Sequence, residues 1–265
     1  MKYTFIIIVF VCILSILYIY WYQPPISILK STYIPKTIHK VFIQHSMQLP
    51  EHLSEPIKNA HLSWEHQNPE YQIKYYSGND CELYLKKYFS DRHYKAYKKL
   101  KPYAYKADFF RYCLMYNEGG VYTDWKMVCV YPLHNFRNKK WVSSWDVGEN
   151  NMWNGFFMTY PKNPILHTAI EMCLHNIENN IYGNWCLYPT GPKLFGKAFS
   201  THYPQIKFGK PYNKDGIQLG TFSPPNIFMN NKLFLKSKCE HCNHTQEWDH
   251  GNNYIKMWLN KDIYH

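Results

Sequence analysis

A Rossmann-like α/β sandwich, not a sandwich of two antiparallel sheets, is the fold class this sequence predicts, and three observations carry the expectation. Short β-branched and aromatic runs alternate along the chain with longer amphipathic stretches, as βαβ units do. No internal repeat or low-complexity tract interrupts the alternation. Of the 265 residues, 46% are hydrophobic, enough to bury a substantial core in one domain.

In chain order, Thr37–Ile43 reads as a strand, Glu51–Glu65 as a helix and Tyr71–Tyr76 as the next strand. Asp80–Phe89 and Arg92–Leu100 follow as short, lysine-rich helices with a solvated face. Ala104–Asn117 is an amphipathic helix stopped by Gly119-Gly120, because glycine accepts the backbone conformation that a helix C-terminus requires. Val121–Thr123 and Met127–Val130 read as paired strands, followed by strands at Trp141–Trp145 and Gly155–Tyr160. Pro164–Asn179 is a helix with proline in its first turn, and Pro192–Phe199 is another.

Tyr3–Tyr22 is a charge-free apolar run, close to the ~20 residues a helix needs to cross a bilayer. It ends in Tyr18, Tyr20, Trp21 and Tyr22, an interfacial aromatic cluster, and lacks a small-x-small cleavage site. Residues 1–22 are therefore expected to be a transmembrane signal anchor, 23–33 with Pro24-Pro25 a short stem, and 34–265 the folded domain. Lys2 precedes the run while Lys30, Lys36 and Lys40 follow it, so lysine placement does not fix the orientation.

The formal net charge of +11 calls for an anionic partner. Nucleic acid is excluded by the scarcity of arginine, confined to Arg92, Arg111 and Arg137, and by the absence of any nucleic-acid-binding motif. A phosphorylated ligand or an anionic membrane surface remains. With Cys12 in the apolar run, an odd number of cysteines is left, so at least one is free. The cluster Cys239-Glu240-His241-Cys242-Asn243-His244 offers either a local disulfide or a compact zinc site.

Lys106–Lys126 reads K-A-D-F-F-R-Y-C-L-M-Y-N-E-G-G-V-Y-T-D-W-K and is the most informative stretch of the chain. Asp108 and Arg111, one helical turn apart, aim an acid and a guanidinium at the same region, a pair suited to holding hydroxyls. Asp124 sits where a strand stops, and in open α/β sheets ligands bind at the carboxyl ends of strands.

This stretch resembles the A-D-x-x-R-Y and G-G-x-Y-x-D-x-D pattern of the DXD-type glycosyltransferases, which include fungal initiating mannosyltransferases, capsular polysaccharide transferases and the large bacterial glucosylating toxins. Ala107, Asp108, Arg111, Tyr112, Gly119, Gly120, Tyr122 and Asp124 match, whereas Lys126 stands where the family has its second acid. Ile34-Pro35-Lys36-Thr37-Ile38-His39 is similar to the family's opening strand, Thr190-Gly191-Pro192 to its T-G-P loop, and Tyr254-x-x-Met257-Trp258 to its closing segment.

The resemblance implies a GT-A fold and transfer of a hexose from a GDP- or UDP-sugar to a glycan, lipid or protein acceptor, with retention. It also implies a type II membrane protein with a lumenal, Golgi- or ER-like domain. Asp108, Arg111, Asp124 and Lys126 are the expected catalytic residues. His39, Trp64, Tyr122, Asn154, Thr190, Gly191 and Pro192 are expected at the substrate, with Trp64 stacking on the base; by character alone, Trp64 and Tyr122 also suit a core. Asp124 and His250 are the expected ligands of a divalent metal, Mn2+, unless Lys126 takes over its charge. The missing second acid leaves a rival reading, a membrane-anchored sugar- or nucleotide-binding protein with a decayed site. Heavy use of Tyr, Lys, Asn and Ile fits an AT-biased genome such as a viral one.

Overall fold

The computed structural model describes residues 33–240 and 251–265. A ten-stranded mixed sheet runs through them, with strand order β2-β1-β3-β6-β5-β8-β9-β10-β4 and β7 paired to β8. The strands are β1 (Thr37–Val41), β2 (Gln72–Tyr76), β3 (Gly120–Thr123), β4 (Val128–Cys129), β5 (Trp141–Trp145) and β6 (Met152–Thr159), then β7 (Tyr212–Lys214), β8 (Ile217–Ser223), β9 (Asn226–Met229) and β10 (Lys232–Lys236). The helices are α1 (Glu55–Gln67), α2 (Gly78–Tyr88), α3 (Asp91–Lys99), α4 (Tyr103–Glu118), α5 (Pro164–Glu178), α6 (Pro192–His202) and α7 (Tyr254–Leu259).

The half that carries the site is the expected one. β1 lies parallel to both β2 and β3, with Ile38 opposite Ile73 and Val121. Alternation then sends successive side chains to opposite faces. Ile38 and Val121 pack with Trp64 of α1 in one core. Val41 and Tyr122 pack with Phe109 of α4, Leu166 of α5 and Phe195 of α6 in the other. The parallel block β2-β1-β3, covered on both faces, is the GT-A-like, Rossmann-like core that the alternation implies, while β6 joins β3 antiparallel and the sheet as a whole is mixed.

Two expectations need correction. Val121–Thr123 and Met127–Val130 are not partners: β3 lies between β1 and β6, and β4 pairs with β10. The chain reverses between them, with Met127 N donating to Asp124 O at 3.2 Å. The meander from β7 to β10 went unread. Two of its three turns, Asp215-Gly216 and Asn230-Asn231, have all four φ between 51° and 82°, the positive values that tight hairpin turns demand, and the third is Pro224-Pro225.

Among the described residues no helix is long and apolar enough to cross a membrane. The Tyr3–Tyr22 run, nearly all of the 23–33 stem, His250 and the 241–244 part of the cysteine cluster lie outside the described residues. Cys239 is disulfide-bonded, which removes its thiolate from any zinc site, while Cys81, Cys113, Cys129, Cys173 and Cys186 are free and buried.

Candidate active site

The helix α4 and the carboxyl end of β3 bring three charges into line. Arg111 Nη2 lies 3.2 Å from Asp108 Oδ1, and Arg111 Nη1 lies 3.2 Å from Asp124 Oδ1. The guanidinium also donates to Asn154 O at 2.8 Å and rests on the face of Tyr122, 4.5 Å from the ring centre. Arginine suits this position because its fork serves several acceptors from one rigid plane.

Asp108 is equally well held. It accepts from Asn154 Nδ2 at 2.9 Å and from Thr190 Oγ1 at 3.0 Å, which ties α4 to β6 and to the loop before α6. Burial pushes its carboxyl up to about 6, against the pull of Arg111 and the two donors, so it is ionised at neutral pH. Tyr122, Asp124 and Asp108 hold the Arg111 guanidinium charged against its own desolvation. Asp124 differs: its side chain is 41% exposed, and Tyr122 OH donates to its Oδ1 at 3.0 Å.

These groups open onto a cavity of about 310 Å³, whose lining includes Asp108, Arg111, Asp124, Asp146, Asn154 and Gly191. Pro192, Trp153, Gly155 and Tyr254 also line it. Of the residues singled out from sequence, Asp108, Arg111, Asp124, Asn154, Gly191 and Pro192 therefore meet at one place, while Tyr122 and Thr190 lie behind them as supports.

His39 and Trp64 do not reach it. His39 is fully buried, with Nε2 3.1 Å from Gly119 O and Nδ1 3.1 Å from Tyr76 OH, and burial lowers its pKa to about 3, so the ring is neutral. Trp64 has no exposed surface, and its indole N–H donates to Met127 O at 2.6 Å. It fixes the turn after β3 from within the core and presents no face to a base. Lys126 is half-buried on that turn, beside Asp124 and outside the cavity lining.

Asp146 was missed by sequence reasoning. It follows the last residue of β5, the second strand end at this edge, and that position was its available signal. Burial raises its carboxyl to about 6, above the ~3.9 of an unfolded aspartate. The neutral form is thus favoured by folding, so its contribution is complete below pH ~4 and lost as pH rises through ~6. We expect Asp146→Asn to be more stable than the parent by about 1–2 kcal/mol at pH 7.5, the gap closing by pH 4. Denaturant midpoints across that range check this; a gap independent of pH would remove the carboxyl's ionisation as its source.

Residues 54–145 match the glycosyltransferase sugar-binding region containing the DXD motif, a span that includes Asp108, Arg111, Asp124 and Lys126. An uncharacterized glycosyltransferase of Acanthamoeba polyphaga mimivirus is 28% identical over 174 residues, covering 64% of this chain and 66% of the relative. The initiation-specific alpha-1,6-mannosyltransferase of Candida albicans is 33% identical over 84 residues, 31% of this chain and 20% of that enzyme. The chain therefore spans about two thirds of the first relative's length and a fifth of the second's. Among solved structures, the PaToxG glycosyltransferase aligns at a TM-score of 0.48 with 19% identity, over 66% of this chain and 71% of that one. The UDP-bound glycosyltransferase domain of the YGT toxin aligns at 0.45 with 8% identity, over 71% and 80%.

DXD glycosyltransferases generally use a divalent metal, and the residues of this DXD-type region can be tested for fit. Hard cations are held by several oxygen ligands, carboxylates foremost. Here Asp124 Oδ1 is already engaged by Arg111 and Tyr122, the second acid is Lys126, and the described residues contain no group of three His, Cys, Asp or Glu that could hold a metal. Among the described residues, a carboxylate shared with a guanidinium and flanked by an ammonium does not by itself make a divalent-cation site, and His250, the other expected ligand, lies outside them.

Proposed function

We propose that this chain transfers a hexosyl group from a GDP- or UDP-sugar to a hydroxyl of a glycan, lipid or protein, with retention. The observation that carries the reading is the Asp108–Arg111–Asp124 line of charges opening into a cavity, within a segment that matches a sugar-binding region. Arg111 is a fixed, buried cation, so its field acts on ligand charge with no reorganisation. Asp124, half-exposed at the cavity, is suited to accept hydroxyls of the sugar or ribose. Asp108 and Asn154 fix the arginine and line the sugar side.

In the reaction, the bond from the anomeric carbon to the diphosphate oxygen breaks and that carbon bonds to the acceptor oxygen. The acceptor's proton passes to the departing diphosphate. Asp108 is occupied by Arg111, Asn154 and Thr190 and is not free to attack, which supports displacement on one face assisted by the leaving group. The Candida relative's mannosyl transfer supports a mannosyl donor.

Nucleoside diphosphate release from a panel of GDP- and UDP-sugars, with the full chain, tests the reading. One donor should turn over, and Asp124→Asn should reduce that turnover by about 10²–10³-fold, as loss of one aligned polar contact does elsewhere. Turnover of no donor, with sugar binding intact, would instead favour the rival binding protein.

A further inference from the structure

Behind the Asp124–Met127 turn lies a lysine that the chemistry so far leaves unused. Lys40, on β1, is fully buried, and its Nζ has no hydrogen-bond partner. It follows His39, which pairs with Tyr122 across the β1–β3 ladder, so it stands beside the end of the strand that delivers Asp124. Its ammonium lies 5.1 Å from the centre of the Trp64 ring and is drawn towards the Asp124 carboxylate. Burial lowers its pKa to about 7.

A buried, unpaired ammonium is among the costliest groups a core can hold, and methionine would fill the same volume without that cost. The same core has taken trouble to fix the turn above it. His61 Nε2 donates to Trp125 O at 3.1 Å, and Trp64 to Met127 O at 2.6 Å, so α1 clasps the turn between Asp124 and β4 from beneath. His61 is itself kept neutral by burial and by Lys40, its pKa lowered to about 4, and so adds no charge. Among the described residues the charged groups around the turn are Lys40, Arg111, Lys126 and Lys238 against Asp108 and Asp124. Asp108 is spent on Arg111, Asn154 and Thr190, which leaves Asp124 to balance the cations.

We propose that Lys40 is a built-in cation of the donor site, acting through the Asp124 turn together with Lys126 and Arg111 to hold a nucleoside diphosphate without a divalent metal. The proposal rests on the reading of the site as a donor pocket. Lys40 is a positioning residue in it: its charge lies behind the turn and fixes the field at Asp124 without touching the ligand. The excess of cations complements a diphosphate, and it repels the Mn2+ that a second acid at position 126 would invite. With a pKa of about 7 the amine is part-protonated at neutral pH; a diphosphate bound nearby favours the ammonium, whose charge is little screened where water is excluded.

Titration calorimetry on the full chain with UDP and GDP, after exhaustive chelation and again with Mn2+ added back, tests this. Chelated protein is expected to bind one diphosphate with an affinity within about 3-fold of that with Mn2+. Lys40→Met should weaken diphosphate binding by about 10-fold while leaving uridine or guanosine binding unchanged, and Lys126→Met, on the half-buried turn, should do the same. A merely structural lysine would shift nucleoside and diphosphate together. Binding that vanishes on chelation and returns with Mn2+, or a Lys40→Met protein that holds the diphosphate as tightly as the parent, overturns the proposal but leaves the donor pocket standing. Binding of neither diphosphate under any condition overturns both.

Discussion

Arg111→Met is expected to abolish turnover and to lower stability by about 3–5 kcal/mol, the usual cost of removing one partner of a buried ion pair. Its guanidinium side chain is 7% exposed and serves Asp108, Asp124, Asn154 O and the face of Tyr122 at once. Methionine matches its length and packing but leaves Asp108, whose side chain is 11% exposed, as a buried carboxylate with only two neutral donors. That carboxyl, already pushed up by burial to about 6 with the arginine present, would rise further and take up a proton near neutral pH. Acidification favours both proteins, because Asp108 is raised in each, but the Met variant should gain more between pH 7.5 and 5 and so recover part of its deficit relative to the parent. Arg111→Lys separates charge from geometry: it keeps the cation but cannot span the same acceptors, so stability should fall less than in Arg111→Met while turnover still drops by about 10²-fold. Denaturant melts at pH 5 and 7.5, read beside donor turnover, check both variants. An Arg111→Met protein within 1 kcal/mol of the parent at both pH values would mean that the chain of charges contributes nothing to the fold.

The central part of this site was legible because it is local. Asp108, Arg111 and the helix stop at Gly119-Gly120 follow from helical spacing and backbone preference alone, and Asp124 from the position at which a short strand ends. What sequence could not supply is which face of each strand looks where. Lys40 reads as a surface lysine until β1 is seen between β2 and β3 with α1 over it, and Trp64 reads as a ligand platform until its indole is found on Met127 O inside the core. Asp146 joins the cavity only through the long-range pairing that sets β5 between β6 and β8. The β7–β10 meander escaped for a different reason. β7 and β9 are short, several side chains of the meander are exposed, and Gly220 interrupts the β-branched character of β8, so the turn residues are the main mark.

Gly155→Ala should separate function from folding more sharply than any charge deletion. Gly155 lies on β6, its carbonyl accepting from Asp124 N at 2.8 Å, so its Cα stands directly against the carboxylate. A methyl there would come within 2.5 Å of both Asp124 Oδ2 and Trp153 Nε1. Its backbone lies outside the left-handed region, so alanine is conformationally acceptable and the strand need not distort. What must move are the Asp124 carboxylate at the cavity and the buried indole N–H of Trp153, which has no hydrogen-bond partner to lose. Asp124, 41% exposed, can rotate away at little cost, which limits the loss of stability to about 1–2 kcal/mol. The rotation would break its alignment with Arg111 and Tyr122, and a displacement of about 1 Å in such a group costs on the order of 10²-fold in rate. The expected result is a protein that melts close to the parent yet turns over donor at about one hundredth of its rate, the loss being mainly in kcat. Melting temperature and steady-state kinetics on the same preparation decide it. Full activity in Gly155→Ala would show that the carboxylate does not need its present position and would remove Asp124 from the reacting groups.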